Sequence, residues 1–218
     1  MLKRVACFSI GVTILQIWLA PCGRVSGDVS RLSNKRVAAC RIEQFGAYNA
    51  LRDVSQKAHV AIGVEAAIDY KTEPTVVLDF PGGTVADLLN MFISRVPDYR
   101  WEDADAGIIH VFRDATHVPL ADIMISYPAA RNKTRKEVWE DIGKAPEITE
   151  WMNSAHCSRR ELLHGKEFRN HNDPISIEQG SVTLAQLLDE VAIKSGENYW
   201  AILQSTPGKP CQVSVFLW

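Results

Sequence analysis

The stretch that opens at Thr84 and closes at Trp101 returns, almost unchanged in spacing, between Thr183 and Trp200. Thr84, Ala86, Leu88, Leu89 and Trp101 recur as Thr183, Ala185, Leu187, Leu188 and Trp200 at one constant offset. A chain with such an internal repeat is committed to building the same small unit twice.

Both copies are physically legible. In the first, Val85, Leu88, Leu89, Phe92 and Val96 fall at helical spacing on one face, with Asp87, Asn90 and Arg95 mostly opposite. Thr84 and Asp87 stand where a capping box begins a helix, and Pro97 cannot continue it. In the second, Thr183 and Gln186 form the box, Leu184, Leu187, Leu188 and Val191 form the stripe, and Gly196 suits the left-handed residue that ends a helix. A β-rich run precedes each helix, at 75–80 and at 175–178, and another follows from Tyr99 or Tyr199. The unit predicted is strand, helix, strand, with the apolar helix face laid on a sheet.

At the N-terminus, Lys3 and Arg4 precede an apolar run over 5–19, too short for a membrane span of about 20 residues but suited to a secretory signal. The expected signal peptide is 1–27, cleaved after Gly27. An anchor lipid at Cys22 is the competing reading, although Pro21 stands where a lipobox carries a small residue. Membrane attachment is expected only with that lipid. Residues 1–27 contain three basic residues and no acidic one, so cleavage takes the formal charge from −2 to −5. A mildly acidic chain has no global attraction to nucleic acid, and none is expected as a partner. The basic cluster Arg131, Lys133, Arg135 and Lys136 reads as a solvated face.

Residues 28–36 are polar and read as a flexible arm. From there, 37–45 reads as a strand, 47–59 as a helix, 60–65 and 75–80 as strands, then the Thr84 helix, 99–102 and 108–112. This β-α-β-β-α-β-β order, with its ALRDVSQKAHVAIGVE helix and strand, its TVVLDFPGGTVADLLNMF strand and helix, and its closing YRWEDADAGIIHVF hairpin, resembles the STN module. That is the small periplasmic domain at the N-terminus of secretins and of some TonB-dependent receptors. The resemblance covers 37–112, and it implies docking to envelope proteins through sheet edges and helix faces. Nothing after it has the length of a pore or a receptor barrel.

The fold class expected is therefore α+β, with two such modules in tandem, 37–115 and a divergent 116–218. In the second, 120–127 reads as a strand, 128–133 as a turn, 134–155 as a helical segment broken near Gly143 and Pro146, and 160–168 as a strand. The runs 175–178, 199–203 and 212–217 and the Thr183 helix complete the order.

Chemistry-bearing residues are sparse. His156, Cys157, His164 and His171 are zinc-ligand types, but their spacing matches no compact zinc pattern. Cys157 beside His156 suggests a thiol nucleophile, yet neighbours in sequence point apart on a helix. In an oxidising compartment Cys157 with Cys211 is the preferred bridge, both lying in the second module, and Cys40 reads as a small buried hydrophobe. The turn Pro81, Gly82, Gly83 lacks the lysine and spacing of a phosphate loop. Asp103, Asp105 and Gly107 resemble the start of a calcium loop but read as a hairpin loop. Trp101 and Trp200 are expected to pack in the core, whereas Trp139 and Trp151 are the candidates for contact with a partner.

The function expected is that of an exported, periplasmic or secreted bacterial protein working by protein–protein contact or assembly on an envelope partner. No catalysis, metal or cofactor is expected. Two alternatives remain: a metal-dependent or thiol hydrolase centred on His156, Cys157, His164 and His171, and a periplasmic small-ligand binder.

Overall fold

The computed structural model describes residues 31–217 except 70, 105–106, 114–117, 165–173, 179 and 197, and no side chains at 161–164. The expected signal peptide 1–27, with Cys22, and also Asp105 and His171 lie outside the described residues. The fold is mixed α and β throughout.

The arm predicted as flexible is anchored in its described part. Leu32–Asn34 form a 3-10 turn, and Ser33, 6% exposed, donates its hydroxyl to Asp103 at 2.5 Å. The single strand expected over 37–45 is two. β1 (Arg36–Val37) pairs with a short β5 (Gly83–Thr84), and β2 (Cys40–Phe45) pairs antiparallel with β4 (Thr75–Phe80). Helix α1 (Ala47–Ala58) lies between β2 and β3 (Ile62–Ile68), and His59 closes it in the left-handed conformation. Helix α2 (Val85–Arg95) starts on the predicted capping box: Thr84 Oγ1 accepts from Asp87 N at 3.1 Å, and Asp87 Oδ2 accepts from Thr84 N at 2.8 Å. The hairpin β6 (Tyr99–Ala104) and β7 (Ile108–Arg113) follows.

In the second half, the strand expected over 120–127 is shorter. Pro119 opens a 3-10 turn to Asp122, and β8 (Met124–Tyr127) begins only after it. The expected turn over 128–133 contains a strand, β9 (Ala130–Lys133), held by pairing with β11 (Ile175–Ile177). The helical segment divides into α3 (Arg135–Gly143), with a Thr134 and Glu137 capping box, and α4 (Pro146–Ser154). Pro146 has no N–H to continue α3 and suits the first turn of α4. Then come β10 (Ser158–His164), β12 (Gly180–Thr183) paired with β8, α5 (Leu184–Ser195), β13 (Tyr199–Ser205) and β14 (Gln212–Leu217).

Six strands form the central sheet, in the order β10, β14, β13, β3, β7, β6. Within each half the last two strands are antiparallel, and the first runs parallel to the last. The halves meet where β13 runs parallel to β3 over seven residue pairs, from Tyr199 opposite Ile62 to Ser205 opposite Ile68. Side chains alternate across the pleat. Ile62, Val64, Ala66, Tyr199, Ala201 and Leu203 join the core under α1 and α2, whereas Trp200, Ile202, Val213 and Val215 join the core with α3, α4 and α5. Every residue of β3 is buried, as a strand covered on both faces requires.

Candidate functional site

The seam between β13 and β3 is built around one close approach. Gly63 stands opposite Trp200, and a Cβ added at Gly63 would lie 2.8 Å from the indole nitrogen and closer still to Cζ2 and Cε2. The indole therefore lies on the neighbouring strand's bare backbone. Its N–H donates to Asp189 Oδ1 at 2.7 Å, from α5, and Trp200 is fully buried. Asp189 also faces His110 Nε2, 3.0 Å from both carboxylate oxygens, and the His110 ring stands edge-on to Trp200 at 5.6 Å. Tyr199 adds a hydrogen bond from its hydroxyl to Tyr48 O at 2.7 Å, and Ser55 Oγ donates to Asn198 O at 2.6 Å. Charge, ring packing and backbone are thus locked together between residues distant in sequence.

Burial alone would lower the His110 pKa, but the hydrogen bond and charge of Asp189, aided by Glu65 and Glu102, outweigh it and the net direction is upward. His110 and Asp189 side chains are only 15% and 7% exposed, so solvent screens this pair weakly. A folded-state pKa above the unfolded value gives stability that is complete below about pH 6.5 and is lost as pH rises through the folded value. Urea midpoints of the wild type are expected to fall across that window, while His110→Gln lacks this part of the slope. Parallel curves for the two proteins would refute the coupling.

The repeat places a second tryptophan in the same way. Trp101 Nε1 donates to Asn90 Oδ1 at 3.1 Å, and Asn90 occupies in α2 the position of Asp189 in α5. Trp101 is half-buried because β6 ends the sheet: β7 pairs on one side, and no strand among the described residues pairs on the other.

A separate concavity of about 560 Å³ opens at the far end of the β13–β14 hairpin, lined by Trp151, Cys157, Cys211, Thr206, Pro207 and Lys209. Cys157 and Cys211 sit at disulfide distance, Cα to Cα 4.5 Å, joining the end of α4 to the start of β14. Trp151 is half-buried and faces this space. Trp139 does not reach a partner-facing groove. It is 1% exposed, packed with Val138 and Ile142 in the second core. Arg135, expected on a solvated face, is 4% exposed, and burial lowers its pKa.

Of the zinc-type residues the structure describes the side chains of His156 and Cys157 alone. His156 is exposed with φ 52°, Cys157 is paired with Cys211 and so supplies no thiolate in the oxidised chain, and the His164 side chain lies outside the described residues, as does His171. Among the described residues no group of three His, Cys, Asp or Glu could hold a metal ion. Cys40 is half-buried, and burial raises its thiol pKa. Among them, too, no helix is long and apolar enough to cross a membrane.

The Gly63, Trp200, Asp189 and His110 group escaped the sequence reading. Its signals were the glycine inside an apolar strand and the acceptor pair Asn90 and Asp189 at the offset of the repeat. No family model, curated protein or solved structure matches the chain.

Proposed function

We propose that this chain is an exported bacterial envelope protein, made of two STN-like modules fused through one sheet, that acts by docking another envelope protein rather than by catalysis. The observation that carries the reading is the seam itself. One half's edge strand β3 is completed by β13, a parallel strand from the other half, and β6, the counterpart of β13 in the repeat, has no strand on its outer side among the described residues. Strand addition supplies affinity through main-chain hydrogen bonds and specificity through alternate side chains. An open edge with no such use is a liability that folds normally cover.

The test is photocrosslinking in the native envelope, with the full chain carrying a photoreactive residue in turn at exposed positions on each face. A single envelope protein joined from a contiguous set of positions is the expected result. The absence of any crosslink, with the protein present in the osmotic-shock fraction, would overturn the reading.

The concavity beside Cys157 and Cys211 supports a second reading, a small-ligand binder. Its volume lies within the range of about 300 to 1,000 Å³ usual for ligand sites, and Trp151 supplies an aromatic wall. Saturable quenching of Trp151 fluorescence, lost in Trp151→Leu, would favour it over docking.

A further inference from the structure

We propose that β6 accepts, in parallel, an extended segment of another protein that carries glycine opposite Trp101 and a basic residue immediately after it. This rests on the docking reading and names the partner's chemistry.

Trp200 and Trp101 share a place in the repeat, each at the strand that follows the capped helix, and each is held by the equivalent helix residue, Asp189 or Asn90. The same strand position and the same anchor give the two indoles the same direction. Trp200 projects over the backbone of the strand beside it and leaves room there for no side chain at position 63. Trp101 projects likewise over the outer side of β6, where no strand pairs among the described residues, so an incoming strand needs a residue without Cβ at that point. Parallel orientation follows from β13 and β3.

A second copy of the chain is a poor occupant. The other end of the sheet is β10, and the strand registers identify its counterpart of Gly63. Trp101 pairs with Val111, as Val64 does; Trp200 pairs with Leu217, as His164 does. The residue before His164, equivalent to Gly63, is Leu163. A leucine would occupy the space the indole needs.

The opposite face of β6 defines the rest. At the seam, Tyr199 and Ala201 are buried beneath the first half's core. Their counterparts on β6 are Arg100 and Glu102, both exposed, with the Arg100 guanidinium 5.4 Å from the centre of the Phe112 ring. An occupant of β6 therefore brings no apolar layer of its own, which fits an extended peptide rather than a second packed domain. Val64 stands opposite Ala201, so the residue after the partner's glycine stands opposite Glu102, where a lysine or arginine forms an opposite-charge pair across the strands.

The probe is the peptide Ala-Ile-Gly-Lys-Thr-Ala-Ala-Ile, patterned on 61–68, added to the isotope-labelled mature chain. Within 100–104, the alternate amides that point away from β7 are expected to gain exchange protection. Replacing the peptide's glycine by leucine should weaken binding about ten-fold or more, the cost of roughly one steric overlap. Trp101→Ala should bring the two peptides within about three-fold of each other, and Asn90→Ala, which frees the indole but keeps the helix, should narrow the gap also. Equal binding of both peptides by the wild type, protection at another strand, or concentration-dependent self-association through β6 would each overturn the proposal. If photocrosslinks in the envelope then map away from β6, docking stands and the edge assignment falls; if no position crosslinks, both fall.

Discussion

Gly63→Val is expected to cost about 4 kcal/mol, a large share of the roughly 5–15 kcal/mol that holds a domain folded. The valine must displace an indole that is fully buried and fixed by Asp189. Overpacking of a filled core costs about 1–3 kcal/mol, and pushing the indole away leaves the Asp189 carboxylate short of a donor, about 1–3 kcal/mol more. β3 cannot yield, since it is paired with β13 on one side and with β7 on the other. Trp200→Ala is expected to cost about 3–5 kcal/mol by itself, by the cavity it leaves. The double variant should cost less than the sum of the two, by roughly 1–3 kcal/mol, because the valine then fills part of the vacated space. Urea unfolding of the four proteins measures this coupling. Additive costs, or a neutral Gly63→Val, would show that the indole does not lie on that strand.

The same residues mark where sequence reasoning stopped. Local signals were strong: Thr84 with Asp87 and Thr183 with Gln186 are capping boxes in the structure, and β4 and β14 fall on the runs predicted for them. These features depend on neighbours within a turn or a single strand. The pairing of β13 with β3 depends on two segments far apart in the chain, and no local pattern encodes which parallel strand a strand will choose. The apolar run over 62–68 did carry the message that both its faces would be covered, and Gly63 within it carried the message of a close approach. β9 was illegible for another reason: Ala130, Arg131, Asn132 and Lys133 have little strand preference, and the pairing with β11 imposes the conformation. Trp139 was misplaced although the signal was available, since Val138, Trp139 and Ile142 make a helical stripe of the kind that faces a core.

Removing the Cys157–Cys211 bridge is the second large effect expected. The two cysteines are separated by 54 residues, a loop whose closure in the unfolded chain is worth about 4 kcal/mol in the chain-entropy model. The segment enclosed includes α5, β13 and the part of the second core that they supply, so the bridge constrains the half that contains the short, pairing-dependent strands β9 and β11. Reductant, or Cys157→Ser with Cys211→Ser, is therefore expected to lower the thermal midpoint by roughly 10 °C. The cysteines of the segment from Asp28 onward are Cys40, Cys157 and Cys211, so thiol titration of that segment should find Cys40 alone before reduction and all three after it. The pH window of the His110 pair should survive the loss of the bridge, because Asp189, Trp200 and Gly63 meet at the seam rather than at the hairpin end where the cysteines lie. A midpoint that ignores reductant, with all three thiols reactive from the start, would show that no bridge forms and that the second half is held by its core and the shared sheet alone.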